Sequence, residues 1–77
     1  ILRLCAARGP GRSIPPSEVA RALVGPDERR WRLMMHPVRV EAFRLAREGR
    51  IVVLRKGRPV APERARGVIR LAIVLRS

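Results

Sequence analysis

The chain has 77 residues, 47% of them apolar, with 18 lysines and arginines against six acids and a formal net charge of +12. That length supports one small domain (residues 1–77) with one small core, and the apolar share is too high for a disordered chain. A lone cysteine excludes an internal disulfide, and with a single histidine beside it no His/Cys metal cluster can form, so a reducing cytoplasm and no cofactor are the expectations.

Ile1, Leu4 and Cys5, with Leu2 and Ala6 nearby, fall at helical spacing and predict a first helix, ended by Gly9, Pro10 and Gly11. Cys5 reads as a small core residue, with a reactive thiol as the alternative. Pro15 and Pro16 suit a helix start, where a missing N–H costs nothing. A second helix is predicted from Pro16 to Leu23, with Val19, Ala20 and Leu23 on one apolar face and Gly25 and Pro26 as its stop. Asp27 is placed to cap a short helical turn reaching Met34. Trp31, Leu33, Met34 and Met35 read as a lid over the core, with an exposed Trp31 anchoring a partner as the alternative.

His36 and Pro37 open the strongest helical pattern, which runs to about Glu48. Val38, Ala42 and Leu45, with Ala46 beside them, form its core stripe. Arg39, Arg47 and Arg50 fall on the far side, with Val40 and Phe43 between them. Glu41, Arg44 and Glu48 stand at ion-pairing intervals, and Gly49 suits the residue that ends a helix. Ile51 to Arg55 reads as a strand, and Lys56 to Pro59 as a turn. A basic loop from Val60 to Gly67 follows, with a helical turn starting at Pro62. The last strand is predicted from Val68 to about Leu75, with Ile69, Leu71, Ile73 and Leu75 on one face and Val68, Arg70, Ala72 and Val74 on the other. The longest apolar runs, Ile51 to Leu54 and Leu71 to Leu75, are far too short to span a bilayer. No basic segment followed by an apolar one opens the chain, so no signal peptide is expected.

Three helices and a short turn followed by a hairpin make an α+β fold of the winged helix-turn-helix kind, with the hairpin as the wing. Residues 37–59, which run a helix into Glu48-Gly49, then an apolar strand, then the basic turn Lys56-Gly57-Arg58, resemble the recognition-helix-to-wing segment of bacterial GntR-type regulators. Residues 16–23, Pro-Ser-Glu-Val-Ala-Arg-Ala-Leu, resemble their preceding helix. Nearly the whole chain also resembles an uncharacterised bacterial family, a domain of unknown function. The segments that carry this likeness are Cys-Ala-Ala-Arg-Gly at 5–9, residues 16–23, Glu-Gly-Arg-Ile at 48–51, Lys-Gly-Arg-Pro-Val at 56–60 and Arg-Gly-Val-Ile-Arg-Leu at 66–71. The family likeness implies a winged-helix fold and supplies no activity, while the regulator likeness implies a transcription-related role. The chain departs from a typical regulator between the second and third main helices, where the long segment Val24 to Met35 replaces a tight turn.

The charge points to a polyanion, and arginine's planar fork suits both phosphate and guanine. Codon bias in a GC-rich genome is the competing explanation, but it does not account for the shortage of acids. In a winged helix the start of the recognition helix reaches base edges, and the wing reaches phosphates or the minor groove. The candidate nucleic-acid contacts are therefore His36, Arg39, Val40, Phe43, Arg44 and Arg47 on the helix. The wing adds Arg55, Lys56, Arg58, Arg64 and Arg66. Arg39 is the foremost candidate for guanine and Arg58 for phosphate, while His36 has helix capping as an equal alternative. No nucleophile elbow, P-loop or paired-carboxylate constellation is present, so no catalysis is expected.

Double-stranded DNA is the expected partner. A protein-interaction module is the alternative, because the apolar last strand offers an edge for homodimer pairing. RNA is less favoured, since only Trp31 and Phe43 are available for stacking. A membrane surface is less favoured again, since the basic residues do not gather on one amphipathic helix.

Overall fold

The computed structural model of the protein describes residues 1–9 and 11–74. These residues form four helices and a three-stranded antiparallel sheet, on which the first and fourth helices pack. The first helix, α1, spans Leu2–Arg8 and buries Cys5. Burial pushes the Cys5 thiol above its ordinary range by desolvation, so it stays a neutral core group. Pro15 holds an extended backbone, and Pro16 takes the first position of α2 (Pro16–Val24), as its fixed φ favours. Asp27 caps α3 (Glu28–Leu33), its carboxylate accepting the Arg29 N–H at 3.0 Å.

The longest helix, α4, spans Met35–Arg47 and buries Val38, Ala42 and Leu45. Proline chemistry explains why α3 does not run into it. Pro37 has no N–H to donate to the Leu33 carbonyl, and its ring crowds that carbonyl. The helical bonds restart with Val38 N–H to the Met34 carbonyl at 2.9 Å. At the other end Gly49 takes φ of 75°. The Gly49 N–H bonds the Ala46 carbonyl and the Arg50 N–H bonds the Leu45 carbonyl, both at 3.0 Å. This is a Schellman ending, and it turns the chain straight into the sheet.

The central strand is β1 (Ile51–Arg55). It pairs with β2 (Arg58–Pro59) on one side and β3 (Arg70–Ile73) on the other. Ile51 and Val53 point into the core. The turn expected at Lys56 to Pro59 is a two-residue hairpin turn: Arg58–Pro59 already pairs as β2, and Lys56 and Gly57 both take positive φ, 53° and 79°. That is the turn geometry matching the natural twist of paired strands. A short 3-10 turn over Pro62–Arg64 follows at the predicted place, and the chain returns as β3.

Beyond β3 the sheet gains one residue more. Ile14, just ahead of α2, forms a bridge to Leu71. The expectation of a free last-strand edge is therefore corrected: at Leu71 that edge is already occupied. The side chains of Ile14 and Leu71 are both fully buried.

Three further expectations need correction. The last strand begins at Arg70 and not Val68, which is 87% exposed. The alternation was otherwise in phase, since Ile69 and Leu71 are buried, although Ala72 is buried as well. Leu75 lies outside the described residues. Leu33 is 79% exposed and no part of a lid. Trp31 packs against the core, and at 100° per residue Leu33 must point the opposite way. Leu23 is 61% exposed, because it rims a hollow between α2 and α4 and does not fill it. Met34 and Met35 pack against the core as predicted.

A Cβ at Gly57 would meet no atom within 4 Å, so substitution there costs only backbone conformation. Gly57→Ala is expected to lower stability by about 1–2 kcal/mol. Chemical denaturation checks this, and an unchanged midpoint would contradict the turn assignment.

Candidate nucleic-acid interface

On a helix with 100° per residue, the core stripe of α4 leaves His36, Val40, Arg44 and Arg47 on the outer face. His36, Val40, Arg44 and Arg47 are exposed. His36 does not cap the helix: Met34 holds that position and no side chain bonds the free N–H groups. One flank of the outer face carries Glu41 and Glu48. The other carries Arg39 and Phe43, half-buried, and it is this flank that the basic loop lies against.

Arg39 makes that juxtaposition. Its guanidinium donates to the Ala65 and Gly67 carbonyls, each at 3.3 Å, and sits 5.5 Å from the Phe43 ring centre. Cation, ring and two carbonyls thus tie residues 65–67 to the helix across more than twenty residues of sequence. Ala65 is buried under this clamp. Two turns on from Arg39, Arg47 donates to Glu63 at 3.2 Å. Arg39, expected as the foremost candidate for guanine, has its fork engaged within the fold.

The remaining predicted residues divide by their partners. Arg44 bridges Glu41 and Glu48, as the spacing implied, so its charge is locally offset. The bond from Arg44 holds the Glu41 carboxyl below its ordinary range. The Glu63 carboxyl is lowered too, first by its own backbone N–H and then by Arg47. Arg55, Lys56 and Arg58 on the hairpin, and Arg64 and Arg66 on the clamped loop, are exposed. Among the described residues none of these five has a carboxylate within bonding distance. The hairpin and loop therefore carry a positive field that no neighbouring acid cancels, apart from Glu63 beside Arg47.

Two bracing residues escaped the sequence. Arg70 donates to the Ser13 hydroxyl at 2.7 Å and to the Ser13 carbonyl at 2.9 Å, holding β3 to the segment before α2. A lone arginine alternating with apolar residues gives no signal of that role. Basic residues also stand outside this region. Arg21, Arg29, Arg30 and Arg32 surround α3, with Arg21 and Arg32 lying 5.4 Å and 6.0 Å from the Trp31 ring centre. Arg32 is offset by Glu28.

The described residues hold no cluster of histidine, cysteine and acids able to bind a metal ion. No helix among them is long and apolar enough to cross a membrane.

The sequence pattern of a family described as a protein of unknown function, DUF3253, matches residues 1–74. The chain belongs to that family. No curated protein matches it. The family resemblance seen in the sequence is thus the one that the comparison supports, and it extends from α1 through β3.

If Arg39 is a brace, Arg39→Ala removes its bonds to the Ala65 and Gly67 carbonyls, of which only the first is partly buried, and costs about 0.5–1.5 kcal/mol. Backbone amides of residues 64–69 are expected to exchange with deuterium faster in this variant, while those of α2 are unchanged. Equal exchange in both proteins would contradict the clamp.

Proposed function

We propose that the domain is a winged-helix module that binds double-stranded DNA, in a transcription-related role. In this reading α2 and α4 are the helix-turn-helix pair, with α3 inserted in the turn, and the β1–β2 hairpin with its following loop is the wing. The observation that carries it is the set of five cations with no carboxylate partner among the described residues, Arg55, Lys56, Arg58, Arg64 and Arg66, of which the last two stand in the loop that Arg39 ties to α4. Cations grouped without counter-charge on a rigid frame suit phosphates, which supply most of the affinity in such contacts.

The roles shift with the geometry. Arg58 and Arg55 contact phosphates from the hairpin, where Gly57 permits close approach. His36, Val40 and Arg47 meet the groove from α4. Phe43 and Arg39 act behind them by holding the loop. Arg44 contributes little net charge because two carboxylates share it. Homodimer pairing through the last strand is less favoured than the sequence suggested, because Ile14 occupies that edge at Leu71.

Fluorescence anisotropy with a labelled random-sequence duplex tests the proposal. Affinity is expected to fall with salt at a log–log slope of about −0.9 per phosphate neutralised. The Arg55→Ala, Arg58→Ala double variant should bind more weakly and lower the slope magnitude by about 2. Arg3→Ala on α1 should change neither. Absence of binding at low salt would overturn the proposal. So would equal losses at Arg3 and at the hairpin, which would leave the arginines compositional.

A further inference from the structure

Among the described residues, two of the large exposed apolar side chains, Leu23 and Leu33, stand close together on the other side of α4. Leu23, Val24, Leu33 and Met34 line one hollow with Arg30 at its rim, of about 550 Å³. Leu23 and Met34 also line a second, of about 230 Å³, that reaches Ile1 and Pro37. Sharing two residues, the hollows form one trough between the end of α2, the end of α3 and the start of α4. Both hollows open to solvent, and the trough is broad enough for a leucine or phenylalanine side chain to lie against it. Exposed apolar side chains of this size, gathered in a concavity on so charged a chain, mark a contact surface. Met34 at its centre adapts to irregular partners.

Charge decides the occupant. Leu33, Arg30 and Arg29 share the side of α3 that faces away from Trp31. Neither arginine side chain has a carboxylate partner among the described residues. Glu41 borders the far end, but Arg44 has taken its carboxylate. The trough therefore offers an apolar floor and an uncompensated basic rim. A second copy of the chain in a symmetric contact would set Arg29 and Arg30 against their own equivalents, each copy at +12. We infer that the trough between α2, α3 and the start of α4 docks an acidic amphipathic helix of a partner protein, its apolar stripe seated over Leu23, Leu33 and Met34. The trough and the basic loop lie on opposite flanks of α4, with Pro37 and Glu41 on one and Arg39 and Phe43 on the other. One domain can then hold DNA and a protein together.

The test uses a synthetic peptide with leucines at i, i+4 and i+7 and glutamates between them, titrated into the isotope-labelled chain. Saturable binding is expected, with amide shifts centred on Leu23, Val24, Leu33 and Met34. Leu33 is exposed, so Leu33→Ser should keep the fold and weaken binding about tenfold, the worth of one leucine's burial. Arg30→Glu should weaken it as well, and the Arg55→Ala, Arg58→Ala variant should leave it unchanged. Affinity unmoved by Leu33→Ser would overturn the inference by reducing binding to general attraction between acids and arginines. Shifts centred on the hairpin would do the same. Self-association, or adhesion to phosphatidylglycerol vesicles, that is lost in Leu33→Ser would overturn it in favour of those occupants.

Discussion

The N–H of Leu71 bonds the carbonyl of Ile14 at 2.7 Å, and the N–H of Ile14 bonds the carbonyl of Leu71 at 2.8 Å. These two bonds join the helical half of the chain to the sheet, across 57 residues. Closing so long a loop costs conformational entropy, and the site recovers it by dense burial. Leu71 packs beside Val53 across the ladder, and Cys5, Val19, Val38 and Leu45 complete the core around that centre. Arg70 adds its bonds to Ser13 on the solvent side of the same junction. With β3 fixed there, β1 is fixed by its four-residue pairing and the hairpin tip by β1. The basic tip is thus held from close by, since Leu71 lies across from Val53 and Arg70 from Leu54, just before β1 ends at Arg55.

A second constraint follows from the imbalance of charge. With six acids on the chain, every carboxylate is engaged. Glu18 meets Arg8, Glu28 meets Arg32, Glu63 meets Arg47, Glu41 and Glu48 hold Arg44, and Asp27 caps α3. Exposed pairs of this kind add little stability. Their consequence is spatial: they offset charge on α1, α3 and one flank of α4, and leave the hairpin uncompensated. Arg39 works differently, spending its donors on backbone carbonyls and an aromatic face, so that it orders the loop without cancelling any charge on it.

What the sequence made legible was local. Proline and glycine punctuation bounded α2 and α4, the Asp27 cap marked α3, and apolar periodicity picked out Val38, Ala42 and Leu45. The 3-10 turn at Pro62 and the Arg44 ion pairs were also readable, because they depend on residues within four positions. What escaped was long-range or too short to have a period. Ile14 is a strand of one residue between a polar segment and two prolines. β2 has two residues, one of them proline. The acceptors of Arg39 lie 26 and 28 residues away and are carbonyls, which no side-chain pattern reveals. Leu33 and Leu23 misled for another reason: an apolar side chain at helical spacing is read as core, yet here the helices end before anything covers them. Of the candidate site, the cationic members were visible as a list, whereas the separation into clamped, paired and unpaired residues required the packed structure.

The central claim is that the hairpin, the clamped loop and the outer face of α4 act together as one surface for DNA. The most direct measurement is the change in backbone amide resonances of the labelled chain on adding a short random-sequence duplex at low salt. The account predicts perturbations at residues 55–58, at 64–67 and in the first half of α4, with α1 and the trough around Leu33 unaffected. Perturbations centred on α3, or scattered in proportion to arginine content, would contradict it.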